Sequence, residues 1–206
     1  LLVACIKKNK ELMNFDYNNR NNKNMLYDFG NMLLRISMVV PNGVLVMFSS
    51  YALMQNIKNS LNDMGVWATI NSNKYIYEEP KEQSKLASTL LTYGKMAHTQ
   101  KGAFMFAVFR GKISEGIDLS DELCRAVVVV GVPFPPIRDI KIINKKEYMT
   151  AKCQQGKSEL RPVNQRQLDG YYWYNLQTMR AVNQAIGRVI RHIKDYGAIY
   201  FFDLRY

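Results

Sequence analysis

A chain of 206 residues can bury one ordinary hydrophobic core, and with 48% of them apolar it is expected to fold rather than stay disordered. Its formal net charge of +11 favours a polyanionic partner, nucleic acid or nucleotide, over a neutral small substrate, although lysines used for solubility give the same balance. The longest apolar run, at 126–132, is too short to span a bilayer, and the apolar residues 1–6 lack the flanks of a secretory signal. Cys5, Cys124 and Cys153 are scattered and form no CxxC pair, so neither a zinc site nor a disulfide framework is indicated, and reduced intracellular thiols are the simplest account. The start at Leu1 rather than Met suggests a piece of a longer protein.

Residues 14–24, NFDYNNRNNKN, have no apolar period and read as a surface loop or disordered insertion. Met32, Leu33, Ile36, Val39 and Val40 then recur at helical spacing, and Pro41-Asn42-Gly43 ends the helix they predict. The continuous apolar run 44–48 is of the kind that forms a buried parallel strand, and Ser49-Ser50 is suited to cap a helix from Tyr51 to about Met64. A shorter strand is predicted at 75–77, before Glu78-Glu79-Pro80, and a helix over 81–98 with Leu86, Leu90 and Leu91 on one side. AFMFAVF (103–109) and AVVVVG (126–131) read as central strands, the second stopped by Pro133-Phe134-Pro135-Pro136. A Lys-rich helix is expected over 139–153, a polar loop over 154–167, a long helix over 170–192 and a last buried strand over 197–202. Buried strands alternating with helices make an α/β domain with a mostly parallel sheet, whose working residues gather at the carboxyl ends of the strands. That rule sets Ser49-Ser50, 110–118 and 131–133 along one edge.

Two stretches carry chemistry. In 181–192, AVNQAIGRVIRH, Arg188 and Arg191 are three residues apart and Gln184 one turn earlier, so on a continuous helix they share a face, with the small Gly187 allowing close approach. Two guanidiniums and a carboxamide suit a polyphosphate, because the guanidinium fork matches phosphate oxygens and stays charged. A basic helix with a solvated face has the same composition. In 110–118, RGKISEGID, glycines frame a turn whose amides can face an anion, Ser114 adds a hydroxyl, and Glu115 and Asp118 add carboxylates. A tight polar turn without function reads the same way.

Taken together, RGKISEGIDLSD, RAVVVVGVPFPP and AVNQAIGRVIRHIKDYGAIYFFDLRY resemble motifs V and VI and their surroundings in superfamily 2 helicases, in the iron–sulfur branch typified by the xeroderma pigmentosum group D helicase. VLVMFSSY (44–51) resembles motif IV of that branch, and the resemblance runs from about Gly43 to the end. It implies a lead-in over 1–42 and, over 43–206, the second RecA-like domain of a two-domain motor, with an α/β P-loop-NTPase-type fold. It implies that Arg191 is an arginine finger with Arg188 beside it, a device worth about 10³–10⁵ in rate, and that Gln184 orients the nucleotide side. Gly187, Glu115, Gly116 and Asp118 fall on the nucleotide side, with Glu115 and Asp118 coupling the cleft to the DNA track. Ser49, Ser50, Tyr51, Arg110, Lys112 and Ser114 fall on the single-stranded DNA backbone.

No G-x-x-x-x-G-K-[ST] occurs, and Asp121-Glu122 reads as a surface turn, so the chain is expected to be half an enzyme and inactive alone. ATP and Mg²⁺ are expected to be held mainly by the first RecA-like domain of the same polypeptide, where the four-iron four-sulfur cluster of the branch also lies. Single-stranded and forked DNA are the expected partners, the nucleus the expected location, and no metal site is expected in this chain. A binding or regulatory module that has lost ATPase function is the alternative; retention of Arg188, Arg191, Glu115 and Asp118 speaks against it.

Lys141, Lys145, Lys146 and Lys152 either extend the DNA track or form a solvated helix face. Tyr171, Tyr172, Trp173 and Tyr174 offer stacking rings, but four adjacent residues point all round a helix, so at least half should pack inward. His192 reads as a helix-end cation.

Overall fold

The computed structural model describes residues 7–8, 11–114, 117, 119–155 and 168–206, so Glu115, Gly116, Asp118 and nearly all of the loop expected over 154–167 lie outside it. The chain divides into two compact units: residues up to Val132 with Gln184–Tyr206, and Pro133–Asn183.

The first unit opens with a short antiparallel pair, β1 (Lys7–Lys8) and β2 (Glu11–Leu12), which was not anticipated. The Asn-rich stretch is a loop only as far as Asn22. Asp16 Oδ1 accepts from the amides of Asn18 and Asn19, and the Asn22 side chain accepts from Asn24 N and Met25 N to cap α1 (Lys23–Val39). This helix therefore begins well before its predicted apolar residues. Its buried positions include Leu26, Phe29, Leu33 and Ile36, whereas Val39 is 77% exposed.

Next come β3 (Gly43–Phe48) and α2 (Tyr51–Asp63), the latter capped by Ser50, whose Oγ accepts from Leu53 N at 3.2 Å. Gly65, at φ 72°, supplies the left-handed residue that separates α2 from α3 (Val66–Asn73). The sequence pattern did not reveal α3, because its buried positions are just Val66 and Ile70. The predicted shorter strand is β4 (Tyr75–Glu78). The helix expected over 81–98 is a 3₁₀ turn (Gln83–Lys85) followed by α4 (Leu86–Ala97). Its buried side is Leu86, Tyr93 and Ala97, while Leu91 is 63% exposed, because Tyr93 is drawn inward to donate from its hydroxyl to Leu123 O.

With β5 (Ala103–Val108), β6 (Ala126–Val130) and β7 (Ala198–Phe202) the sheet runs in the order β4-β5-β3-β6-β7, every neighbouring pair parallel. All residues of β3, β5 and β6 are buried, as expected for central strands covered on both faces. Alternate residues Val44, Val46, Phe48, Phe104, Phe106 and Val128 share one core with Phe29, Leu33, Ile57, Leu61 and Ile70 from α1, α2 and α3. Burying each phenylalanine there contributes roughly 1.5–3 kcal/mol. Phe48 lies opposite both Val108 and Val130, so the three central strands finish level and present one carboxyl edge.

The second unit contains α5 (Ile140–Gln155) and most of α6 (Gly170–Ile186). Tyr174 donates to Pro135 O at 2.6 Å and stacks on Phe134 with centroids 5.7 Å apart. As expected for adjacent helical residues, Tyr174 is buried, Tyr172 and Trp173 are half-buried and Tyr171 is 71% exposed. Among the described residues no helix is long and apolar enough to cross a membrane.

Candidate nucleotide and nucleic-acid site

At the carboxyl edge the organising group is Glu79, which sequence reasoning passed over. It follows β4 directly and is 3% exposed. Its carboxylate accepts from the Tyr51 hydroxyl at 2.7 Å, from Lys112 N at 2.7 Å and from Val108 N at 3.1 Å. One buried acid thus holds the first residue of α2 to the turn after β5. Burial, then the Glu79 carboxylate, drives the Tyr51 hydroxyl well above its ordinary pKa, which keeps it a donor. Gly111 is required in this turn, since a Cβ there would collide with Glu79 Oε1 and lie 2.8 Å from Val108 O. Arg110 takes a left-handed backbone, φ 59°, and is exposed. The strand's position beside β5 marks Glu79 in retrospect: a carboxylate at the carboxyl end of a parallel strand is where working residues gather.

The side chains expected to meet DNA divide accordingly. Ser49 and Ser50 are half-buried at the end of β3, and Ser50 caps α2. Lys112 Nζ donates to the carbonyls of Pro80 and Lys81, and Ser114 Oγ donates to Gly111 O at 2.8 Å, so both shape the turn.

The Gln184–Arg191 segment departs from expectation. α6 ends at Ile186, not near His192. Arg188 N bonds to Ala185 O and Val189 N to Ile186 O, three residues back rather than four, and the chain leaves the helix. The cause is inward packing: Val189 is 1% exposed, and Arg188, 7% exposed, sends Nη2 to Ser114 O at 2.6 Å and Nη1 to Ile117 O. Arg188 and Arg191 therefore share no helical face. Arg188 is buried against main-chain carbonyls, whereas Gln184, Gly187 and Arg191 are exposed. Charge-assisted bonds of this kind are worth about 1.5–3 kcal/mol each. The Arg188 fork physically joins the two stretches singled out from sequence.

A second cluster sits at the amino end of the sheet. Arg125, just before β6, donates its amide to Gly43 O and its Nη1 to Asp195 Oδ1 at 2.6 Å, and its guanidinium lies 4.3 Å from the Tyr196 ring centroid. Asp195 also accepts from Arg191 N and Tyr196 N; the Arg191 amide first, and then Arg125, hold its carboxyl below the usual aspartate value. His192 lies beyond the end of α6 rather than in its last turn, with Nε2 3.0 Å from Asp121 Oδ1. The chain that leaves the carboxyl edge at Arg110 is thus back at the amino end by Asp121–Leu123. Asp121, His192 and Asp195 could together offer ligands to a metal ion, but the Asp195 oxygens already accept three N–H donors and Arg125 supplies the neighbouring charge. Burial pushes the Cys124 thiol up to about 12, which suits packing and not ligation.

The helicase C-terminal domain family matches residues 33–206. The chain belongs to this family. This helicase C-terminal domain is 41% identical over 197 residues to the regulator of telomere elongation helicase 1 homolog of Drosophila grimshawi, covering 96% of this chain and 19% of that protein. Against the homolog from Drosophila melanogaster it is 41% identical over 191 residues, covering 93% and 19%. The chain therefore spans 19% of the length of these relatives. Among solved structures, one named XPD helicase superposes with TM-score 0.58 at 26% identity, covering 94% of this chain and 30% of that one. The Xpd4 structure from S. tokodaii gives 0.60 at 21% identity, covering 94% and 33%, a likeness of fold. The group D-like branch and the RecA-like α/β fold expected from the motifs are borne out.

Proposed function

We propose that this helicase C-terminal domain is the second motor half of an ATP-dependent DNA helicase, working against a first RecA-like domain of the same polypeptide. The observation that carries this reading is the Arg188 fork on the carbonyls of Ser114 and Ile117. It ties the segment that meets nucleotide to the loop that grips the strand, so movement at one is felt at the other.

In this reading the exposed Arg191 and Gln184 meet the nucleotide phosphates across the cleft, with Gly187, Glu115, Gly116 and Asp118 on the same side, and Arg188 is a positioning residue. Their fit to a phosphate group rests on the exposed guanidinium and carboxamide beside a glycine. ATP with Mg²⁺, held mainly by the first domain, would supply the binding and hydrolysis free energy for the closing and opening of the two domains. Ser49, Ser50, Tyr51 and Arg110 hold the strand backbone without reading sequence, while Lys112 and Ser114 keep the loop in shape. The relatives are named for telomere elongation, which supports a nuclear role; in this reading the protein serves the maintenance or repair of DNA and acts on single-stranded or forked substrates. A four-iron four-sulfur cluster would be carried by another part of the polypeptide.

The test is the chain by itself, given ATP, Mg²⁺ and an oligothymidylate. It should turn over no ATP and bind the oligonucleotide weakly, without sequence preference, and less as salt rises. Robust hydrolysis by the chain alone would overturn the half-motor reading.

A further inference from the structure

The lysines of α5 are not equivalent. Lys141, Lys145, Tyr148 and Lys152 stand at i, i+4, i+7 and i+11, one face of a helix, and all four are exposed. Lys146 belongs elsewhere: it is half-buried, with its ammonium 4.9 Å from the Tyr174 ring centroid. The half-buried residues Ile142, Ile143, Met149 and Cys153 lie off the lysine stripe, so α5 keeps a packed side and a separate charged one. Glu147, the acid on this helix, falls about a third of a turn away from the stripe.

The centre of the stripe is aromatic. Tyr148 is 55% exposed, and the ammonium groups of Lys145 and Lys152 lie 5.2 and 5.9 Å from its ring centroid. From Lys141 to Lys152 the helix rises about 16 Å, long enough to follow several backbone phosphates. A solvated helix face needs no large aromatic residue at its centre. A positive stripe flanking an exposed ring is the combination that holds a single strand: cations on the phosphates and a π face for a base.

We propose that this face of α5 is a second docking surface for single-stranded DNA, separate in sequence from the edge formed by Ser49, Ser50 and Arg110. The proposal rests on the helicase reading for its ligand but on α5 alone for its location. Anisotropy of a labelled oligothymidylate, titrated with the chain over a salt series, tests it. Replacing Lys141, Lys145 and Lys152 together by Gln should flatten the slope of log affinity against log salt by about 2, at roughly 0.7 per phosphate contact. Tyr148→Ala should weaken binding at least about five-fold, and Tyr148→Phe should not. These positions are exposed, so circular dichroism should show every variant folded as the parent is. Unchanged binding by Tyr148→Ala, or an unchanged salt slope in the triple variant, overturns the proposal. If Arg110→Gln weakens binding while both α5 variants bind like the parent, the helicase reading stands and the α5 surface falls. Absence of any oligonucleotide binding by the parent chain overturns both.

Discussion

Truncating Glu79 to Ala removes the acceptor shared by α2 and the turn after β5. Three donors lose their partner: the Tyr51 hydroxyl, Lys112 N and Val108 N. The Val108 bond is the buried one, and a buried donor left unsatisfied costs about 1–3 kcal/mol. The other two are part-buried, so water can enter the vacated space and each costs nearer to 0.5–1 kcal/mol, about the net worth of an ordinary hydrogen bond. The sum is about 3 kcal/mol. For a domain of this size that lowers the melting temperature by about 6–12 °C. Glu79→Gln keeps the shape but turns amide hydrogens toward donors, so it should recover only part of the loss. Thermal unfolding followed by far-UV circular dichroism reads both variants, and oligonucleotide anisotropy shows whether the Arg110 turn has loosened. A melting point for Glu79→Ala within about 2 °C of the parent would refute the assignment of Glu79 as the organising group.

Arg188→Lys removes the fork that holds two carbonyls at once and leaves a single ammonium, so it should destabilise by about 2–3 kcal/mol in urea unfolding despite keeping the charge. Asp195 has a folded-state pKa below its ordinary 3.8, so its contribution is present above that value and is lost as pH falls through the folded one. The stability gap between the parent and Asp195→Asn, measured by urea midpoint, should therefore narrow on acidification below about pH 4. Lys74 is 1% exposed and donates to Asn42 O at 2.8 Å; burial lowers its pKa from 10.5 to about 8. Between those values the unfolded state binds the extra proton, so the parent should gain stability as pH rises from about 8, relative to Lys74→Met. A parallel pH dependence of the two proteins would contradict this.

The strands were legible because 44–48, 103–108 and 126–130 are continuous apolar runs, which a sheet covered on both faces demands. The cap at Ser50 was equally local. What escaped was set by contacts distant in sequence. Glu79 matters only because parallel pairing brings β4 beside β5, so that residue 79 meets residues 108 and 112. The early end of α6 arises from the burial of Val189 and from Arg188 turning inward to carbonyls far back along the chain, a pull that no helical periodicity records. The motifs at 110–118 and 184–191 were visible as composition and spacing, but the division of labour between a buried Arg188 and an exposed Arg191 was not.

The account turns on that division. Arg191→Ala in the full-length protein tests it most directly, because Arg191 carries the exposed guanidinium that this reading sets against the nucleotide phosphates. ATP hydrolysis stimulated by single-stranded DNA should fall by about 10³ or more, with oligonucleotide affinity close to that of the parent. Hydrolysis that survives the substitution would contradict the claim that this domain completes a nucleotide site across a cleft.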